Sequence, residues 1–262
     1  DATIYAAISL ARERLYEESG NKTHLKEAIK AYENALDSNS YYAPYYGNFG
    51  ALLIRHREQL SSEELSRADR LLRRGIALNS YYWTLFNNLG LVLYLKGDFP
   101  EAEDAYRKAL DINPVATDVQ GNLGVLYSKL QRFDEAEDIL ISAIEIQPGF
   151  TGARMNLGTV YIAQGKLDQA EEQFQTVLTM NDTRSDAHFN LGQIAYRMQN
   201  WDRAESLYKA ALELDPDYLD AWNNLGSLYY ETERYTQAIT CFSQILEIDP
   251  NHLIAIQNTG NS

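Results

Sequence analysis

The chain reads as an all-α solenoid of tandem helical hairpins, and three observations say so. The phrase Asn-Leu-Gly recurs every 34 residues, beginning at Asn88, Asn122, Asn156, Asn190 and Asn224. A step of 40 leads back to Asn48-Phe49-Gly50, and a further step of 34 leads on to Asn258-Thr259-Gly260. Repetition at a fixed period in this range marks stacked supersecondary units. Behind each phrase comes a helical stripe: Ala102, Ala136, Ala170, Ala204 and Ala238, then Tyr106, Leu140, Phe174, Tyr208 and Phe242, then Ala109, Ala143, Val177, Ala211 and Ile245. Spacings of three and four residues place these on one helix face. Finally Pro114, Pro148, Pro216 and Pro250 close most units, because proline lacks an N–H and pushes the preceding residue out of helical geometry.

Taken in order, the hairpins are expected at about 9–42, 43–82, 83–116, 117–150, 151–184, 185–218 and 219–252, with a partial unit at 253–262. Together they form a single array over 1–262. Lys96-Gly97-Asp98, Gln164-Gly165-Lys166 and Gln199-Asn200 read as tight turns between the two helices of a hairpin. The first hairpin has a clear second helix at Ala28, Tyr32 and Ala35. Its first helix, Ile4 to Glu18, lacks the Asn-Leu-Gly phrase, as terminal units of a solenoid often do. The second carries six extra residues around Arg55 to Ser62, expected to lengthen its turn, and Ala68, Leu72 and Gly75 restore the register. Asp182 stands where a proline would fall, which weakens that helix stop. Gly226 and Ala238 are small where the two helices of a hairpin approach, while Tyr229, Phe242 and Leu246 are expected to fill the space between hairpins. Leu253 to Asn258 is apolar where a cap would be polar, which favours a piece of a longer array.

The period and the Leu-Gly, Tyr, Ala, Phe and Pro spacing resemble the tetratricopeptide repeat over nearly the whole chain. The resemblance implies that the first helices line an inner, concave surface and that the sixth residue of each unit points into it. Here that residue is Asn48, Asn88, Asn122, Asn156, Asn190, Asn224 and Asn258. Asparagine is a mediocre helix former, yet its amide both donates and accepts, so it can grip a peptide backbone whatever that peptide's side chains are. The row is similar to the asparagine ladder of O-linked N-acetylglucosamine transferase repeat domains. Each Asn bonding to a neighbouring helix is the competing, structural reading. Helix spacing places Leu91, Tyr94, Leu95, Val125, Met155, Thr159, Ile162, Phe189, Gln193 and Tyr196 near these amides, with packing between helices as the alternative. Asp118, Asp186 and Asp220 lie along one rim with Lys129 and Arg197 nearby. Chaperone-binding members of the family hold a terminal carboxylate with Lys or Arg where this chain has Asp118, Met155 or Asp186, so that clamp is missing.

Composition narrows the partner. The net charge is −14, from 23 basic and 37 acidic residues, which argues against nucleic acid and anionic membranes. No apolar run approaches the roughly 18 residues that span a bilayer, and the expected setting is soluble, with cytoplasm favoured. The lone Cys241 excludes an internal disulfide and reads as a buried small hydrophobe. Nineteen tyrosines, several in doublets such as Tyr41-Tyr42 and Tyr81-Tyr82, suit a second contact surface or packing. Two glycosylation-type sequons at Asn21 and Asn181 carry little weight. His24, His56, His188 and His252 are scattered without a metal motif, and carboxylate pairs such as Glu101/Glu103 and Glu171/Glu172 read as solvated outer faces. No cofactor and no catalysis are expected.

The sequence therefore predicts a right-handed superhelical solenoid, a non-catalytic adaptor or scaffold that binds an extended, neutral to basic peptide segment in its concave groove. Two other readings stand beside it: the substrate-recognition arm of a larger enzyme such as a glycosyltransferase, and a self-assembling homo-oligomer.

Overall fold

A computed structural model describes residues 2–39, 41–56 and 62–250. Among them are fourteen α-helices and no strand. They are α1 (Ala2–Ser19), α2 (Lys22–Ser38), α3 (Ala43–Arg55), α4 (Ser62–Leu78), α5 (Trp83–Lys96), α6 (Phe99–Ile112) and α7 (Thr117–Lys129), followed by α8 (Phe133–Ile146), α9 (Thr151–Gln164), α10 (Leu167–Met180), α11 (Ser185–Arg197), α12 (Trp201–Leu214), α13 (Leu219–Glu231) and α14 (Tyr235–Ile248). Odd-numbered helices carry the Asn-Leu-Gly phrase from α3 onward, with Phe in place of Leu at α3, and even-numbered ones carry the alanine stripe. The helices pack into two compact units, residues 1–130 and 131–262.

The glycine of the phrase is dictated by a ring. A Cβ on Gly226 would lie 2.6 Å from the Phe242 ring, and Gly192 stands in the same relation to Tyr208 at 2.6 Å, Gly158 to Phe174 at 2.5 Å and Gly90 to Tyr106 at 2.6 Å. Phe242 therefore lies against its own hairpin's first helix, a correction to the expectation that it fills the gap between hairpins. Tyr106, Phe174, Tyr208 and Phe242 are all essentially inaccessible, and burying each contributes about 1.5–3 kcal/mol.

Turns within hairpins need one left-handed residue. Gly97 (φ +84°) and Gly165 (φ +75°) supply it cheaply. Gln199 (φ +57°) and Glu233 (φ +60°) adopt it as ordinary residues, at a cost of about 1–2 kcal/mol. The same closing bond is kept regardless of residue type, as in Asp98 N to Leu93 O at 2.9 Å and Asn200 N to Ala195 O at 2.9 Å.

Helix α10 ends at Met180, in step with Ile146 of α8 and Leu214 of α12. The stop is thus as firm without the proline, because the Asn181 side chain accepts from Thr183 N at 3.0 Å and turns the chain. Asn21 likewise caps α2 by accepting from Thr23 N at 3.0 Å. Both sequon asparagines have local structural work. In the second hairpin, Ala68 is the seventh residue of α4 whereas Ala102 is the fourth of α6. Three of the six inserted residues therefore extend α4 instead of the turn, and residues 57–61 lie outside the described part, as do Leu253 to Asn258.

Neighbouring hairpins are joined by two repeated devices. Glu103, Glu137, Glu171 and Glu205 recur 34 residues apart and reach the next hairpin. Glu103 accepts from the Tyr127 hydroxyl at 3.3 Å, Glu137 from Lys166 Nζ at 2.7 Å, Glu171 from Arg203 Nη2 at 2.5 Å and Glu205 from Tyr229 at 2.9 Å. Glu101 pairs with Arg73. The acidic pairs are therefore inter-helix ties instead of merely solvated faces. The second device joins α7, α9, α11 and α13 each to the loop before it. Gln120 Nε2 donates to Pro114 O at 3.2 Å, Arg154 Nε to Pro148 O at 3.2 Å and Trp222 Nε1 to Pro216 O at 2.8 Å, while His188 Nε2 lies 3.3 Å from Asp182 O. Four different side chains occupy one geometric slot.

Candidate functional site

The asparagines of the recurring phrase differ in their hydrogen-bond partners. Asn88 Nδ2 donates to Gly47 O of the preceding hairpin at 3.1 Å, and Asn122 Nδ2 donates to Asn87 Oδ1 at 3.0 Å. These two tie first helices together. Asn190 Nδ2 donates to Asp186 O in its own helix at 2.8 Å, and Asn224 is hydrogen-bonded to the Tyr208 hydroxyl. Asn48 is exposed and Asn156 half-buried, and neither side chain makes a hydrogen bond among the described residues. Asn258 lies outside them.

Of the accompanying residues, Leu91, Tyr94, Leu95 and Val125 are half-buried in the first unit, and Tyr94 packs on Phe99 with ring centres 5.7 Å apart. In the second unit Thr159 is exposed and donates to Met155 O at 3.0 Å. Met155, Ile162 and Phe189 are buried. Phe189 packs against Tyr218 at 4.9 Å and Tyr208 at 6.0 Å. That corrects the expectation of a surface residue: Phe189 belongs to the core because α12 and the loop before α13 close over it.

Gln193 and Tyr196 of α11 do meet Asn224 of α13. With Arg197, Tyr208 and Ser227 they line a cavity of about 270 Å³. Tyr196 is held edge-on against Trp201 at 5.3 Å. Burial, reinforced by a hydrogen bond to Glu231, pushes the Tyr196 hydroxyl far above its ordinary value, and burial does the same for Tyr208. Both hydroxyls stay protonated donors across the physiological range. Arg197 Nη1 donates to Ile162 O at 3.3 Å. The cavity thus presents amides, hydroxyls and one guanidinium over an aromatic floor. That chemistry holds main-chain or polar groups and supplies no nucleophile–base pair. Asp186 is bound by Arg184, whose guanidinium holds its carboxyl below the usual range. Asp118 and Asp220 are exposed.

One cluster of metal-ligand type occurs among the described residues: Glu13, Glu17 and His56, with ligand atoms within 4.8 Å of one another. His56, isolated from the other histidines in sequence, is brought by the fold beside two carboxylates. Glu13 is already gripped by Arg55 through Nε and Nη2, both at 2.9 Å, and lies 3.0 Å from His56 Nε2. A guanidinium in that position opposes a cation, so the cluster reads as a structural ion pair. Cys241 is 3% exposed and burial pushes its thiol up to about 12, which leaves it inert at neutral pH. No helix among the described residues is long and apolar enough to cross a membrane.

Stacked helical hairpins with a glycine under a ring and an amide at each sixth position define a helical-repeat protein. The family model for the tetratricopeptide repeat matches residues 83–149, 115–183 and 149–217, and a second model of the same repeat matches 189–252. The chain belongs to the tetratricopeptide repeat family. Members of this family generally mediate protein–protein interactions. Among solved structures, YrrB, described as a tetratricopeptide repeat protein with an unusual peptide-binding site, is 28% identical, with 74% of this chain and 96% of that chain covered at a TM-score of 0.55. A tetratricopeptide repeat protein from Parabacteroides merdae is 15% identical, with 98% of both chains covered and a TM-score of 0.72. The anaphase-promoting-complex assembly Cut9–Hcn1 is also 15% identical, with 98% of this chain and 52% of that chain covered and a TM-score of 0.74. A search of curated protein sequences finds no match.

Proposed function

We propose that this chain is a protein-interaction module that holds an extended peptide segment on the face formed by its first helices. Asn156, Asn190 and Asn224 contact the peptide main chain, and the cavity beside Tyr196 accepts a side chain. The observation that carries the reading is that cavity, where Gln193, Tyr196, Asn224 and Ser227 line one open space. A side-chain amide has two donor hydrogens and an acceptor oxygen, so the internal bonds of Asn190 and Asn224 fix these groups without exhausting them. The YrrB description, a peptide-binding site on a related repeat, supports the same class of ligand. The protein's charge of −14 favours a neutral to basic peptide, and the role is that of an adaptor or scaffold, with no chemistry of its own.

The test is selection of peptides from a random display library on the intact chain, followed by affinity measurement on variants. Replacing Asn156, Asn190 and Asn224 together by Ala is expected to weaken the selected peptides at least ten-fold with helicity unchanged. Equal affinity in the triple variant contradicts the proposal.

A further inference from the structure

A second cavity lies on the opposite side of α13 from Asn224 and Ser227. Its floor is Trp222, Leu225 and Tyr229, its walls are Leu212 of α12 and Cys241 of α14, and its volume is about 420 Å³. Three features make it a built site instead of a surface irregularity. The floor is rigid: the Trp222 indole is pinned to Pro216 O at 2.8 Å. Tyr229 is held by Glu205 at 2.9 Å and by the Arg234 guanidinium 4.3 Å from its ring centre. The space also has an origin in the sequence. One hairpin earlier the position of Cys241 is Leu207, partly buried against the core, and Cys241 is the shorter of the two side chains. Finally, its rim carries Glu213, exposed and without an ion pair among the described residues, whereas neighbouring Lys209 is neutralised by Glu205 at 2.7 Å.

The walls are second helices, whose main-chain groups are spent on their own hydrogen bonds. An extended strand laid there would find few partners for its backbone, while a helix brings its backbone already satisfied. We propose that the trough between α12 and α14 is a docking site for an amphipathic helix, which inserts one large apolar side chain over Trp222 and sets a basic side chain against Glu213. Burial of a single anchor in a preformed, desolvated pocket is the usual source of most of the binding energy at such contacts. The site is independent of the peptide-binding face, so the two readings succeed or fail separately.

The probe is a 16-residue helical peptide bearing one Phe, with Arg four residues further on, titrated against the intact chain by calorimetry. Saturable binding is expected. Cys241→Leu, which restores the residue found one hairpin earlier, is expected to keep the melting temperature and weaken the peptide at least ten-fold. Glu213→Lys, a surface change, is expected to reverse the charge preference, so that the peptide with Glu in place of Arg binds better. Absence of saturable binding overturns the proposal, as does equal affinity in Cys241→Leu. A concentration-dependent doubling of the chain's own mass that Cys241→Leu abolishes assigns the trough to a second copy and also overturns it.

Discussion

The Trp222 indole donates to the carbonyl of Pro216, six residues before it, at 2.8 Å. The bond ties the start of α13 to the loop that follows α12, and Gln120, Arg154 and His188 hold the same place in their own hairpins. Because an intramolecular hydrogen bond is worth about 1 kcal/mol net and this one is solvent-exposed, Trp222→Phe is expected to lower stability by at most about that amount. Urea unfolding followed by circular dichroism measures it.

The glycine-under-ring contact predicts a larger effect. A methyl on Gly192 would fall 2.6 Å from the Tyr208 ring, too close for any real contact. Gly192→Ala is expected to cost about 1–3 kcal/mol, the range for overpacking, despite the better helix propensity of alanine. An unfolding midpoint equal to that of the unsubstituted chain would contradict the packing described.

Glu205 couples stability to pH. The Arg234 guanidinium, aided by Lys209 and Tyr229, lowers its carboxyl to about 2 against the opposing effect of burial. A depressed carboxylate stabilises the fold above the unfolded value, roughly 4.3, and loses that contribution as pH falls from there toward about 2. Glu205→Gln is therefore expected to be less stable than the unsubstituted chain at pH 7, with the difference closing in acid. Urea midpoints between pH 7 and pH 2.5 follow the gap.

The asparagines should separate by role. Asn122→Ala leaves Asn87 Oδ1 without its donor, which is expected to cost about 1 kcal/mol. Asn156→Ala breaks no bond among the described residues and gains a little helix propensity, so its stability should hold or rise slightly. Thermal melts of the two single variants give the comparison.

The fold was readable because its period rests on contacts with strict size demands. Gly226 cannot carry a Cβ beneath Phe242, so the residue itself announces the hairpin. The recurrent Glu103, Glu137, Glu171 and Glu205 were equally periodic, and Tyr127, Tyr161 and Tyr229 stand 24 residues after three of them. That offset of 24 residues is a sequence signal of the tie between neighbouring hairpins. The loop tie carries no such signal: an amide, a guanidinium, an imidazole and an indole share only a donor N–H, which residue identity hides. The site was partly legible. Helical spacing sets Gln193 and Tyr196 beside Asn190, whereas the cavity they line is completed by Asn224 of the next hairpin, and Phe189 is drawn inward by Tyr218, a loop residue outside the helical spacing rule. Asn88, Asn122 and Asn224 find their partners one hairpin earlier, contacts that no single stretch displays.

The most direct test of the account is the affinity of one display-selected peptide for the intact chain, measured by calorimetry with and without N-methyl groups on its backbone. If Asn156, Asn190 and Asn224 hold the main chain, N-methylation at the contacted residues weakens binding at least ten-fold, and the Asn-to-Ala triple variant no longer distinguishes the two peptides. An N-methylated peptide that binds the intact chain as tightly as its parent would contradict main-chain recognition by these amides.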